Sequence, residues 1–415
     1  MSRVVITGMG VVTPVGRTVR DFFDALVAAR SGVRPVPAAL DPDGRRLVAA
    51  MVDSDATTQL PANQAARLDR GTQLALVAAR DAICDAGLVL TEEESERAGV
   101  YWGTGFGGAT SIEESYRKLF AADGRVRPTA VVLGMSNAAA AHVAIDLRLR
   151  GPILNVATAC SSSASAIGEA FRAIRAGDAD VVVAGGSEAL VTLGNLRAWD
   201  AMQALAHADP RDPSRSCKPF SANRAGVVLG EGAAALVLER ESRARQRGAT
   251  ILAELVGYGN SADARGMSQP DPDGQARAMR AALRDAHLAT GDVDYLNANG
   301  TGTLVGDEAE TVAIRRAFGS DAQRLAISST KALHGHLMGA TGAAELVASI
   351  CAIRDGVVPP TAHLECVDPA CDLDYVPNVA RDAKVRVAMS TSFGFGGMNA
   401  VLVARRYHGW EHTDA

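Results

Sequence analysis

The chain has 415 residues, 47% of them hydrophobic and 21% charged; this composition excludes a disordered chain, and the length allows roughly two or three domains. Its 42 basic and 47 acidic residues give a net charge of −5 without a basic run, which argues against nucleic acid as a partner. Six cysteines are too few for a disulfide scaffold and are typical of a protein from a reducing compartment.

The first residues, MSRVVITGMGVVTP, carry one basic residue and a short β-like run, and they lack the features of a secretory signal peptide. The longest apolar stretch, 129–148, is interrupted by Asn137, His142 and Asp146, so no transmembrane span is expected. We therefore expect a cytoplasmic protein that does not bind a membrane.

Strands and helices alternate in the first part of the predicted secondary structure. In chain order, the pattern predicts a strand at 3–7, a helix at 71–87, strands at 98–102 and 153–157, a helix at 161–176 and a strand at 180–185. Strand, helix and strand joined by short glycine-containing turns are typical of βαβ units. We expect an α/β fold with a mostly parallel sheet.

The second part of the chain repeats this pattern. It predicts strands at 325–329, 385–391 and 399–405 and a buried helix at 339–355. The sequence AIRAG at 173–177 returns as AIRDG at 352–356, an offset of 179 residues that brings Cys160 onto Gly339. We interpret this as a duplication with domains 1–250 and 251–415, the second sheet beginning near 250–259. Superposing 153–177 on 332–356 should overlay strand, turn and helix.

A cysteine at a strand–helix joint is the sharpest chemical signal. In ILNVATACSSSASAIGEA, 153–170, a strand leads into Cys160 and a helix of small residues follows. The positive end of a helix dipole lowers the pKa of a thiol and favours the nucleophilic thiolate. The alternative is a buried structural cysteine. Cys84 and Cys351 are predicted mid-helix in the core, and Cys217 lies in a polar loop without an evident base.

A polar turn follows the predicted strand in YLNANGTGTLVGDEAE, 295–310. The hydroxyls of Thr301 and Thr303 and the open backbone suit an extended polar ligand. The alternative is a solvent-facing turn in which Asp307 caps the next helix.

Two further segments carry candidate residues. In AISSTKALHGHLMGATGAAE, 326–345, Lys331 and His336 follow the end of a strand, where α/β proteins bind ligands. They could instead be surface loop residues, and a metal is not expected because other ligands at metal spacing are missing. In STSFGFGGMNA, 390–400, glycines around Phe395 predict a movable flap, or else a tight turn with a packed ring.

Two motifs are rejected. GTGFGG at 103–108 fits the dinucleotide-binding pattern, but no acidic residue ends a second strand about 20 residues on. GGSEA at 185–189 approaches a nucleophile elbow but lacks the final glycine.

Taken together, these motifs resemble the elongating β-ketoacyl-acyl carrier protein synthases over nearly the whole chain. The resemblance is carried by VVITGMGVVTPVG, TACSSS, CKPFSANRAGVVLGEGAAALVLE, SSTKALHGHLMGATGA, CDLDYVPNVAR and SFGFGGMN. It implies a thiolase-like fold, in which two duplicated halves form a five-layer α-β-α-β-α sandwich. Members of the family are dimers.

The resemblance also implies roles for the candidate residues. Cys160 would carry an acyl chain as a thioester, and the backbone N–H groups of Cys160 and Phe395 would form its oxyanion hole. His336 would hydrogen-bond the substrate carbonyl or the developing enolate. Lys331 would maintain the electrostatics of the site through Glu310, and Phe395 would gate the acyl pocket.

The carrier and partners follow from the same resemblance. Thr301 and Thr303 would contact a phosphopantetheine arm, with Asp307 in support. No cofactor is expected to stay bound; the acyl chain would arrive as a phosphopantetheine thioester on acyl carrier protein, or on coenzyme A. Acyl carrier protein is the expected partner, within a homodimer or a heterodimer with a related ketosynthase subunit.

One position departs from the family pattern. The threonine loop of the family usually reads Asn-Ala-His-Gly-Thr, and Asn299 stands here in place of the first catalytic histidine. An amide donates a hydrogen bond but cannot exchange a proton near neutral pH as an imidazole can. Decarboxylative condensation is therefore the step that the substitution affects.

Three functions remain open on sequence alone. The chain is an active condensing enzyme of fatty-acid or polyketide synthesis, a specialised enzyme that transfers or cyclises the acyl group without decarboxylation, or a non-catalytic partner subunit resembling a chain-length factor. Retention of Cys160 argues against the third, and Asn299 argues against the plainest form of the first.

Overall fold

The computed structural model describes residues 2–121 and 124–408. The strands are β1 Val4–Val12, β2 Val33–Pro35, β3 Val48–Ala50, β4 Ala98–Gly103, β5 Ile153–Val156, β6 Val181–Ala189, β7 Glu231–Arg240, β8 Ala253–Ala262, β9 Tyr295–Asn297, β10 Ala326–Ser328, β11 Val357–Val358, β12 Arg381–Asp382, β13 Val387–Gly394 and β14 Met398–Arg405. The helices are α1 Val19–Val27, α2 Ala62–Ala65, α3 Arg70–Asp85, α4 Glu92–Ser95, α5 Ala109–Ala121, α6 Ala130–Gly134, α7 Ala138–Leu147, α8 Ser162–Ala176, α9 Leu193–Ala201, α10 Glu241–Gln246, α11 Pro272–Ala286, α12 Leu304–Phe318, α13 Lys331–His334 and α14 Thr341–Asp355.

One ten-stranded sheet runs through the molecule in the order β10-β9-β13-β14-β8-β1-β7-β6-β4-β5. The strand pairs at its two ends are parallel, and the five pairs from β13–β14 through β8 and β1 to β6–β7 are antiparallel. The expectation of a mostly parallel sheet is therefore wrong. Helical crossovers make the end pairs parallel, whereas the long central strands pair with neighbours that run in the opposite direction.

The two halves of the sheet meet where β1 pairs with β8. Only three residue pairs join them, from Val4 opposite Leu255 to Ile6 opposite Ala253. The chain leaves the first half at Arg240, passes through α10 and enters β8 at Ala253. The proposed division after residue 250 lies in this connection and stays a prediction.

Two buried helices form the middle layer. α8 and α14 contact each other, and each contacts strands from both halves of the sheet. α3 and α7 cover the outer face of the first half, and α11 and α12 pack on the outer face of the second. The thiolase-like five-layer sandwich implied by the resemblance is confirmed.

The duplication is visible in the middle layer, but only part of the predicted superposition holds. At the 179-residue offset, α8 coincides with α14, and the 3-10 turn Ala159–Ser161 coincides with Met338–Ala340. Both turns begin at a non-glycine residue with positive φ, 53° at Ala159 and 50° at Met338. The predicted strand overlay is wrong, because at this offset β5 meets the helical turn α13, and the second half contains extra residues between β10 and its 3-10 turn.

Two negative findings apply to residues 2–121 and 124–408. No helix there is both long and apolar enough to cross a lipid bilayer. No group of three or more histidine, cysteine, aspartate or glutamate side chains there is placed to hold a metal ion.

We predict that Gly168→Ala destabilises the fold. A Cβ at Gly168 in α8 would lie 2.4 Å from ring atoms of Tyr258 in β8, so a methyl group overpacks the contact between the halves. Overpacking of this kind costs about 1–3 kcal/mol of unfolding free energy, measured by denaturant titration.

Gly71→Ala is the matched control. A Cβ at Gly71 in α3 meets its nearest neighbour at an ordinary 3.4 Å, and alanine favours a helix over glycine by about 0.5–1 kcal/mol. Equal stability of the two variants would contradict the close approach of α8 to β8.

Candidate active site

Cys160 lies on a tight turn between β5 and α8. The turn Ala159–Ser161 begins with Ala159 at φ 53°, a conformation that non-glycine residues rarely adopt. The Ser161 hydroxyl donates to the Thr158 carbonyl at 2.8 Å, and the Ser162 hydroxyl donates to the Ala159 carbonyl at 2.6 Å. These hydrogen bonds hold the strained backbone that presents Cys160.

Burial controls the ionisation of Cys160. The side chain is 6% exposed, and burial raises the pKa of its thiol to about 11, although the Lys331 ammonium opposes this effect. The expectation of a thiol pKa below its usual value is therefore wrong for the resting site. Removal of the thiol from water outweighs the favourable charge of nearby groups.

Two backbone donors act on the Cys160 sulfur. The N–H groups of Phe395 and of Cys160 itself both lower the pKa of the thiol. Phe395 lies in the turn between β13 and β14, so the pair joins the two halves of the molecule. Donors in this arrangement can also stabilise an oxyanion that forms on a carbonyl bound to the sulfur.

One cavity of about 450 Å³ brings most of the predicted residues together. It is lined by residues from the turn before α8, from α9, from the β9–α12 and β13–β14 connections, and from the 263–270 segment. The predicted residues in its lining are Cys160, Asn299, Thr301, Thr303, His336 and Phe395. The remaining three, Lys331, Glu310 and Asp307, are buried behind this lining.

His336 is fixed as a neutral hydrogen-bond donor. Burial, the Lys331 ammonium and His334 hold the pKa of the His336 imidazole well below its usual value. The Met338 N–H donates to its Nδ1 at 3.1 Å, and the Thr341 hydroxyl lies 2.9 Å from the same atom. Because Nδ1 accepts, the ring proton is on Nε2. Nε2 finds no hydrogen-bond partner among the described residues, and the ring faces the cavity.

Asn299 is held at the cavity by its backbone. Its N–H donates to Glu310 Oε1 at 2.8 Å and lies 3.1 Å from the Thr391 hydroxyl, while the Gly300 N–H donates to Glu310 Oε2 at 2.7 Å. Burial raises the pKa of the Glu310 carboxyl. Glu310 therefore positions the loop, and the Asn299 side chain remains available to a ligand.

Lys331 does not pair with Glu310 as the resemblance implied. Its ammonium donates to Glu345 Oε1 at 2.5 Å, and both side chains are almost completely buried. Burial raises the pKa of the Glu345 carboxyl to about 7, an effect that Lys331 opposes. Glu310 makes no direct pair with Lys331; the charge of the Lys331 ammonium only lowers the pKa of the Glu310 carboxyl, and this is a weaker effect than burial. The partner of Lys331 in the direct ion pair is therefore Glu345 of α14, and nothing in the local sequence indicates this contact.

The alternative in which Asp307 caps the helix from a solvent-facing turn does not hold. Thr303 is the N-cap of α12, and its hydroxyl accepts from the Gly306 N–H at 3.2 Å. Asp307 is buried and accepts from the N–H groups of Phe220 at 2.8 Å and Thr301 at 3.0 Å. It thus shapes the threonine loop from behind instead of facing solvent.

Two contributors were not predicted from the sequence. Trp199 of α9 stacks on the Phe395 ring, with the ring centres 5.5 Å apart. Glu188, within the rejected GGSEA motif, is buried and accepts from the N–H groups of Gly105 at 2.5 Å and Gly339 at 3.1 Å. Burial raises the pKa of the Glu188 carboxyl to about 7. A charged residue inside an otherwise apolar strand was the available signal.

The other cysteines follow the predictions only in part. Cys351 is buried in α14 as expected, but Cys84 is exposed. Cys217 is buried, which raises the pKa of its thiol to about 12.

Family comparisons cover nearly the whole chain. Residues 1–244 match the family model for the N-terminal domain of β-ketoacyl synthases, and residues 252–365 match the model for the C-terminal domain. Nodulation protein E of Rhizobium meliloti is 45% identical over 404 residues, 97% of this chain and 99% of that protein. The 3-oxoacyl-[acyl-carrier-protein] synthase 2 of Staphylococcus aureus (strain COL) is 42% identical over 409 residues, 98% of each chain.

Solved structures give the same answer. A β-ketoacyl synthase from Burkholderia phymatum STM815 is similar with a TM-score of 0.91 and 37% identity. The ishigamide ketosynthase/chain length factor has a TM-score of 0.90 and 34% identity. A type II polyketide synthase acyl-carrier protein in complex with its ketosynthase bound to the hexaketide has a TM-score of 0.90 and 31% identity. Each comparison covers 98% of this chain and all of the other.

We predict that alkylation of Cys160 by iodoacetamide accelerates with pH far above neutrality. Because burial raises the pKa of the thiol to about 11, the thiolate fraction should grow about tenfold per pH unit between roughly pH 7 and 10. The rate is measured by mass spectrometry of the peptide that contains Cys160, with Cys160→Ser as the control. A rate that levels off near pH 8 would show that the thiol is not held in its neutral form.

Proposed function

The chain belongs to the β-ketoacyl synthase family of condensing enzymes, and we propose that it carries an acyl chain on Cys160 and extends it by a carbon–carbon bond in fatty-acid or polyketide synthesis. The observation that supports this most is the single cavity in which Cys160, His336, Asn299 and Phe395 meet. A nucleophile, two side-chain donors and two backbone donors around one space form the set that acyl transfer requires.

Acyl loading uses the Cys160 side of the cavity. The sulfur attacks the thioester carbonyl of the incoming carrier, the bond to the carrier sulfur breaks, and the proton of Cys160 leaves with the carrier thiol. The negative charge that forms on the carbonyl oxygen is stabilised by the N–H groups of Cys160 and Phe395. Lys331 favours the thiolate from behind, because its charge opposes the effect of burial on Cys160.

Condensation uses the other side of the cavity. A malonyl-type extender loses carbon dioxide, and its electron pair forms an enolate that attacks the acyl carbon and releases the Cys160 thiolate. His336 Nε2–H faces the cavity, has no partner among the described residues, and can donate to the enolate oxygen. The side-chain amide of Asn299 provides a second donor. Neither group takes up a proton readily, because the pKa of His336 is held low and an amide does not titrate.

A specialised activity without decarboxylation is the second candidate, and Asn299 is the observation that favours it. Loss of a positioned acid or base costs ~10²–10⁴-fold in rate. Loading of Cys160 depends on the thiol and the two backbone N–H groups, none of which involves the Asn299 side chain. A non-catalytic role is less consistent with the site, because Cys160 and its oxyanion donors are retained together.

Acyl carrier protein is the proposed carrier of the substrate. The hydroxyls of Thr301 and Thr303 lie 3.0 Å apart in the cavity lining and offer polar contacts to a phosphopantetheine arm. The acyl-carrier protein bound to the related polyketide ketosynthase supports this proposal. No separate cofactor is needed for either step, and the cytoplasmic location stays a prediction.

A second copy or a related ketosynthase subunit is the proposed partner of one exposed apolar face. β5 is an edge strand whose Ile153 and Leu154 are exposed, and Ile145 of α7 is exposed beside it on the same surface depression. Tyr116 and Phe120 of α5 are exposed too. An apolar edge strand left uncovered invites aggregation, so a dimer through this face is expected.

We predict that acyl transfer and decarboxylation separate in this protein. Incubation with an acyl thioester should add one acyl mass to the protein, and Cys160→Ser should abolish the adduct. Carbon dioxide release from malonyl-acyl carrier protein should be slow, and Asn299→His should raise it about a hundredfold or more, because a titratable donor returns to the cavity. Both reactions are followed by intact mass and by released carbon dioxide.

Asn63→His serves as the control, since Asn63 is exposed in α2. If the native protein already condenses at a normal rate and Asn299→His changes nothing, residue 299 does not control decarboxylation. An adduct on Cys217 instead of Cys160 would contradict the assigned nucleophile.

We predict that the purified chain is a dimer and that Ile153→Lys makes it a monomer. The lysine places a charge in the apolar face at the edge strand, and burying that charge opposes association. Val379→Lys is the control, because Val379 is also exposed but lies in the second half of the chain, just before β12, and is not one of the residues of this face. Sedimentation velocity reports the mass, and a monomeric wild-type chain would rule out the homodimer.

A further inference from the structure

Gln275 presents a buried amide to the cavity without a use in the fold. It lies in the first turns of α11, is only 2% exposed, and lines the same cavity as Cys160. Its Oε1 has no hydrogen-bond partner within the described part of the chain. A buried amide without a partner costs stability, so its presence in a cavity wall points to a ligand that completes it.

Asn399 of β14 adds a second unpaired acceptor to this wall. Its Nδ2 donates to Asp263 Oδ1 at 2.6 Å, which fixes the orientation of the amide and leaves the carbonyl oxygen free. That oxygen also lacks a partner among residues 2–121 and 124–408. Asp263 itself is fully engaged, because its Oδ2 accepts from the Asp271 N–H at 3.0 Å. Asp263 thus orients the Asn399 amide, and the amides of Gln275 and Asn399 are the groups that can contact a ligand.

The chemistry of this wall selects a ligand group that both donates and accepts. The Gln275 amide offers an N–H and a carbonyl oxygen, and Asn399 offers a carbonyl oxygen. A secondary amide complements this set, and a hydroxyl can do so in part. The group is neutral, because no cationic side chain is part of the wall, and Asp263 would repel an anion.

We propose that Gln275, with Asn399 beside it, recognises a secondary amide of the carrier arm that brings the acyl chain to Cys160. The inference rests on the proposed function, in which the acyl chain arrives on phosphopantetheine. Gln275 and Asn399 come from α11 and β14, so this subsite is separate from the threonine loop between β9 and α12. It contacts the carrier and takes no part in the bond-making step.

The proposal is tested by comparing two octanoyl thioesters on wild type and Gln275→Leu. Octanoyl-pantetheine contains two secondary amides, and the S-ethyl thioester contains none. The rate of Cys160 acylation, followed by intact mass, should fall about tenfold for octanoyl-pantetheine in the variant and stay unchanged for the ethyl thioester. The melting temperature should be unchanged or higher, because the buried Oε1 that is removed has no hydrogen-bond partner among residues 2–121 and 124–408.

Gln246→Leu on the exposed end of α10 is the matched control and should change neither rate. Gln275→Met tests the same point if the leucine variant does not fold. Binding of free pantetheine, measured by calorimetry, should weaken about tenfold in the variant. This readout needs no acyl transfer, so it stands even if no adduct forms on Cys160 and the proposed function fails.

Three results would overturn the proposal. Equal slowing of both thioesters would show a purely structural role for Gln275, and unchanged rates with unchanged pantetheine binding would show no recognition. Selective slowing of a 3-hydroxyoctanoyl ethyl thioester, with octanoyl-pantetheine unaffected, would assign the amide wall to a hydroxyl of the acyl chain and not to the carrier arm.

Discussion

The close packing of α8 against α14 is the constraint on which the active site depends. The two helices lie side by side between the halves of the sheet, and the Ala343 N–H donates to the Ser163 hydroxyl at 3.0 Å. A Cβ on Gly342 would lie 2.8 Å from a side-chain atom of α8, so the helices meet at a distance that only small residues allow. Because each helix follows directly on a 3-10 turn, this contact fixes Cys160 relative to the histidine-bearing segment of the other half.

The same burial sets the electrostatics of the reaction. It keeps the Cys160 thiol protonated and the His336 imidazole neutral, and Asn299 carries no charge. The resting groups that face the acyl carbonyl are therefore neutral, while the Lys331 ammonium is held behind them by Glu345. A negative charge that develops on a substrate oxygen meets oriented donors in a site of low polarity, where hydrogen bonds to charge are strongest. In the proposed reaction, neutral donors would thus stabilise the transition state without a charged side chain in contact with the substrate.

The sequence predicted the features that depend on local pattern. The buried helices, the glycine that ends each of them and the cysteine at the strand–helix joint are all read from neighbouring residues. Strand direction was not predictable, because β1 and β7 are buried along almost their whole length and show no alternation that reveals a neighbour. The Lys331–Glu345 pair, the raised pKa of Cys160 and the unpaired amide of Gln275 depend on residues far apart in the chain. They are products of tertiary packing, which local patterns do not contain.

The contacts that hold the threonine loop determine whether a substitution at Asn299 changes the position of the loop. Glu310 accepts the N–H groups of residues 299 and 300, and Thr391 lies against the first of them. These contacts use the backbone, so they do not depend on which side chain stands at 299. A change between histidine and asparagine therefore alters the chemistry offered to the substrate while the loop keeps its place. In the proposed function, the rate of decarboxylation would therefore vary with the side chain at 299 without loss of the cavity or of acyl loading.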